Sequence, residues 1–102
     1  MFKVKNEDID KLVELEYGNA CSYGTKYHSN HEYYAILREE MEEIDENMMS
    51  MSANGYMLWA AIKHENEDDI KEHTNEVEKY AYNAVKEALQ VLAVIKKYKD
   101  GV

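Results

Sequence analysis

Proline is absent from this 102-residue chain and glycine occurs only four times, so little in it interrupts a regular backbone. Glu, Lys, Met, Ala and Leu fill its long periodic stretches, a composition that favours helix over sheet. Cysteine occurs once, as Cys21, which rules out an intrachain disulfide and a cysteine-rich zinc site and points to a reducing compartment. Long apolar runs are missing as well. No segment approaches the roughly 20 apolar residues of a membrane span, and Met1 to Asn6 lacks the apolar stretch of a signal peptide, so a cytoplasmic protein without a membrane partner is expected. Basic residues are scarce: 12 Lys and Arg stand against 21 Asp and Glu, a formal charge of −9. That balance repels a nucleic-acid backbone, and any phosphate ligand would need divalent cations between it and the protein.

What is present is helical periodicity. Ile9, Leu12, Val13, Tyr17 and Ala20 recur three and four apart behind Asn6 and Asp8, either of which is a candidate cap, predicting a short helix over 7–20. The small and polar residues from Gly18 to Thr25 read as an irregular connection. Ser29 and Glu32 have the spacing of a capping box and should open a second helix over 30–52, with Tyr34, Leu37, Met41, Ile44, Met48 and Met51 as its buried seam. Ser52 to Gly55 should break that helix, leaving a short apolar one over 55–64. His64 to Asp69 reads as a solvated turn, with Asp68 and Asp69 capping a last helix over 68–99. Its seam is Val77, Ala81, Ala84, Ala88, Val91, Ile95 and Tyr98. The expected fold is one all-α domain, a small bundle of two long amphipathic helices and two short ones. A chain of this size buries only a modest core, so self-association into a homo-oligomer is expected.

Several polar residues stand where a core should be. On a helical wheel Glu40 falls inside the apolar sector of the second helix and Glu43 at its edge, whereas Glu39, Glu42 and Glu46 project to the opposite, solvated side. On the last helix Glu87 and Gln90 interrupt an otherwise apolar stretch and continue a row through Glu76, Tyr80 and Asn83. An enclosed carboxylate costs several kcal/mol unless it is paired or bound to a metal. Glutamate pairs three apart on two antiparallel helices can converge on a hard cation such as Mg²⁺. The same spacing arises by chance in so acidic a chain, and the simpler alternative is that Glu40 and Glu87 pair with lysines or sit at a wet subunit boundary. His28 and His31 lack a third histidine at ligand spacing and read as local or capping residues. Tyr23, Tyr27 and Trp59 are packing residues or stacking platforms for a base, and Lys63 and Lys26 are surface lysines or phosphate neutralisers.

Glu39-Glu40-Met41-Glu42-Glu43, followed by Glu87-Ala88-Leu89-Gln90-Val91-Leu92, resembles the paired acidic motifs of the MazG-like all-α NTP pyrophosphohydrolases, which carry Glu-Glu-x-x-Glu and later Glu-x-x-Asp. Tyr23 to Glu32 is similar to the run ahead of the first motif in some phage-type relatives. The resemblance spans roughly Tyr17 to Lys97. It implies an oligomeric helical bundle in the cytoplasm, that of the host for a phage-encoded relative, holding Mg²⁺ and splitting a nucleoside triphosphate into monophosphate and pyrophosphate. Glu40, Glu43 and Glu87 are then the catalytic metal ligands, with Gln90, Asn83, Tyr23, Trp59 and Lys63 contacting the nucleotide. Gln90 departs from the family's aspartate, which removes one negative charge and a potential base. The departure opens a second expectation, a non-catalytic protein that binds or sequesters a nucleotide between subunits. Glu65-Asn66-Glu67-Asp68 also has the Glu-x-x-Asp form but lacks apolar surroundings.

Overall fold

A computed structural model describes residues 1–20 and 26–101, with backbone alone for 19 and 20. Cys21, Tyr23 and the expected connection through Thr25 lie outside the described residues. The chain is all-helical. Helix α1 spans Asn6–Ala20, α2 Asn30–Lys63 and α3 Glu67–Asp100. The two long helices, 34 residues each, pack against each other. Among the described residues no helix is long and apolar enough to cross a membrane.

Each helix start is fixed by local hydrogen bonds that satisfy otherwise orphaned amides. The Lys5 amide donates to the Asp8 carboxylate at 2.9 Å ahead of α1. At α2 the Glu32 amide donates to Ser29 Oγ at 3.1 Å, and the Glu32 carboxylate accepts the His28 amide at 3.3 Å, so the expected box forms with its return bond one residue earlier. Asn66 caps α3, accepting the Asp69 amide at 3.1 Å and donating to the Asp69 carboxylate at 3.0 Å. Asp68 and Asp69 therefore lie inside the first turn, where negative charge suits the helix dipole, and the cap itself is Asn66.

The expected break at Ser52 to Gly55 does not occur: α2 runs through it, and two long helices with one short one replace the two long and two short that periodicity suggested. Glycine in a helix costs about 1 kcal/mol, which the surrounding bonds offset. The Asn54 amide donates to the Ser50 carbonyl at 2.9 Å, and its Oδ1 lies 3.1 Å from His73 Nδ1 on α3.

Between α2 and α3 the chain reverses through Glu65, whose φ is 51°. The Glu65 amide bonds to the Ile62 carbonyl and the Asn66 amide to the Ala61 carbonyl, the paired closure of a Schellman turn. That left-handed position normally belongs to glycine, because a Cβ there crowds the carbonyl. Glu65→Gly should raise stability by about 1 kcal/mol, read as a higher urea midpoint at unchanged slope. An unmoved midpoint would mean that the turn carries no strain.

The chain divides into two compact units, Met1–Met41 with Glu87–Val102, and Glu42–Lys86. The first joins α1, the start of α2 and the end of α3. Val13, Ala93 and Val94 are buried there, Ala93 completely. The Tyr33 and Tyr98 rings stack at 4.2 Å, and Lys97, buried along its stem, sets its ammonium 4.4 Å from the Tyr27 ring centroid. A polar clasp ties α1 to α3: Tyr17 Oη donates to Asp100 at 2.7 Å, and Lys96 reaches Asp100 at 3.0 Å and Glu14 at 3.7 Å. The Tyr17 hydroxyl and then Lys96 hold the Asp100 carboxyl below its ordinary range, while the bond to Asp100 raises Lys96.

The second unit is a hairpin of α2 and α3 in which Ala61 is buried. The inward residues of α2 there are mixed, with Asn47, Ser50 and Asn54 half-buried beside Ile44, Met51 and Leu58. The expected seam is corrected accordingly. Leu37, Ile44 and Met51 are half-buried, but Tyr34, Met41 and Met48 are about half exposed or more. Their sector of the wheel is wider than the strip one neighbouring helix can cover. The seam of α3 is half-buried throughout, as its spacing predicted.

Candidate metal centre

Glu40 and Glu87 come from different helices of the first unit. Glu40 is half-buried on α2, while the flanking Glu39 and Glu42 are exposed, as the wheel required. Glu87 is half-buried on α3 in the row of Glu76, Tyr80, Asn83 and Gln90, all half-buried too. Each of the two offers a carboxylate oxygen within 4.8 Å of the other, and Glu43 is half-buried one turn further along α2. Hard divalent cations bind oxygens at about 2.0–2.6 Å, so two oxygens on opposite sides of one ion lie roughly 4–5 Å apart.

The Glu87 carboxylate gives the donor set its direction. Its Oε2 is buried and has no hydrogen-bond partner among the described residues. An unsatisfied buried carboxylate oxygen is expensive and calls for a counter-charge. Close carboxylates also repel one another, which makes each oxygen of the group a better cation ligand and a worse neighbour. Carboxylate oxygens fit Mg²⁺ or Ca²⁺ and suit soft metals poorly.

Gln90 lies one turn beyond Glu87, and its Nε2 donates to the Glu16 carboxylate of α1. Glu16 is half-buried. It was not singled out from sequence: it sits on the polar flank of α1, and nothing local links it to a residue 74 positions away. Gln90 is thus anchored through its amide to a carboxylate of the neighbouring helix.

The remaining expected residues disperse. Asn83 is half-buried one turn before Glu87 on α3. Trp59 is 57% exposed and, at about 100° per residue, lies on nearly the opposite side of α2 from Glu43. Lys63 is exposed, its Nζ 5.5 Å from the Trp59 ring centroid. Tyr23 lies outside the described residues. Glu65 and Asp68, the alternative acidic pair, are both exposed at the α2–α3 turn. His28 and His31 are exposed, and His28 takes part in the α2 cap through its amide. In comparisons with known proteins, no family model, curated protein or solved structure matches the chain.

Proposed function

We propose that this chain is a Mg²⁺-dependent nucleotide-binding protein, with Glu40, Glu43 and Glu87 holding the cation and pyrophosphohydrolysis of a nucleoside triphosphate as its reaction. The observation that carries the metal reading is the buried Glu87 oxygen, without a partner among the described residues, beside the Glu40 carboxylate. The nucleotide follows from charge and resemblance: a chain of net charge −9 reaches a phosphate only through a cation, and MazG-like enzymes use such a carboxylate set on triphosphates. The cation would neutralise phosphate charge and activate a water for attack. The chain's own residues hold the ligand set in register, Glu40 and Glu43 by their spacing on one helix and Glu87 from the facing one.

Gln90 favours a second reading, in which a nucleotide is bound and released intact. An amide cannot serve as a general base, and this one is engaged with Glu16.

Calorimetry with Mg²⁺ and a panel of nucleotides, followed by chromatography of the recovered ligand, separates the two. The proposal expects Mg²⁺-dependent binding with pyrophosphate release, and Glu40→Ala should cost about 3 kcal/mol, roughly a hundredfold in affinity. Ligand recovered unchanged would establish the binding-only reading. If wild type bound neither Mg²⁺ nor any nucleotide, both would be wrong.

A further inference from the structure

The second unit presents several large apolar side chains outward. While Asn47, Ser50 and Asn54 face inward on α2, Met49 is 72%, Tyr56 79% and Trp59 57% exposed. Together they make a contiguous apolar face on the order of several hundred Å², larger than isolated surface residues account for. Asp45, Met48, Met49, Ser52, Ala53 and Tyr56 line a shallow hollow on this face.

The face is also self-complementary. Asp45 and Lys63, Met49 and Trp59, and Ser52 and Tyr56 are three pairs with the same midpoint, Asn54. Reversing the helix about that midpoint sets acid against base, methionine against indole and a small residue against a tyrosine. Asn54 itself points away from the face, toward His73. Lys63 already lies back toward Trp59 on this side of the helix.

We propose that this face is a two-fold interface, on which α2 of a second copy of the chain packs antiparallel about Asn54, with Asp45 of each copy paired to Lys63 of the other. Two-fold pairing requires one patch to match itself under reversal, and this patch does. A lipid surface fits poorly, since helices that lie on membranes carry a Lys- and Arg-rich polar face and this chain is acidic. The inference does not rest on the metal reading.

Sedimentation velocity of the full chain over a dilution series tests it. Wild type should be a dimer that dissociates on dilution. Asp45→Lys and Lys63→Asp should each weaken the dimer by about tenfold through like-charge contact, and combining them should restore wild-type affinity. Met49→Asp should leave a monomer whose helical circular dichroism is unchanged. A wild type monomeric at every concentration, single reversals without effect, or a double reversal that does not recover the dimer would each overturn the proposal.

Discussion

Glu87→Gln should raise the melting temperature of the metal-free protein and abolish its response to Mg²⁺. Two costs are removed together. The wild-type carboxylate keeps one oxygen buried without a partner among the described residues, a penalty of about 1–3 kcal/mol or more for a charged group. It also sets its charge within 4.8 Å of Glu40, a repulsion weakened by solvent but not eliminated at a half-buried position. A glutamine of nearly the same shape carries no charge and can donate its amide to Glu40, so a gain of about 1–3 kcal/mol is expected. The wild-type protein should recover the difference when a cation is supplied, because a ligand at a hundred times its dissociation constant stabilises by about 2.7 kcal/mol. Thermal melts of both proteins in EDTA and in excess Mg²⁺ give four temperatures that decide the matter. A wild type indifferent to Mg²⁺, or a variant less stable than wild type in EDTA, would remove the ground for placing a cation at these carboxylates. Greater stability with loss of function would be the ordinary trade-off of a binding site, where charge is kept together for its ligand.

How much of this candidate site was legible beforehand depended on range. Glu40 and Glu43 stand out because their place on the wheel needs only the helix period, and Glu87 because it interrupts an apolar stretch. The capping box at Ser29 and Glu32 was equally readable, since its bonds reach no further than the next turn. Glu16 was not, because its partnership with Gln90 exists only after α1 has docked on α3. Gly55 misled for a related reason: its local cost is real, but Asn54 holds the helix through it with a bond to His73, 19 residues away. The inward and outward halves of the α2 seam were also indistinguishable. Leu37 and Met41 are equally apolar, and only the position of the facing helix decides which is covered.

Ala93→Leu should cost about 2–3 kcal/mol, the upper part of the usual range for overpacking. Ala93 is the one described residue with no exposed surface at all, and its neighbour Val94 and Val13 of α1 are nearly as enclosed. A side chain reduced to one methyl group lets neighbouring backbones approach closely, so three extra carbons can enter only by displacing them. Displacement is costly here because polar contacts are anchored on the same stretch of α3. The Tyr27 hydroxyl donates to the Val94 carbonyl at 3.4 Å, and the Tyr17–Asp100–Lys96 clasp needs α1 at its present distance. For a domain of this size the loss corresponds to a fall of roughly 10–20 °C in melting temperature. Leu92, the preceding residue on α3, is 40% exposed, so Leu92→Ala serves as the control and should cost well under half as much. Equal losses at the two positions would mean that Ala93 is not enclosed, and that α1 does not close over the end of α3.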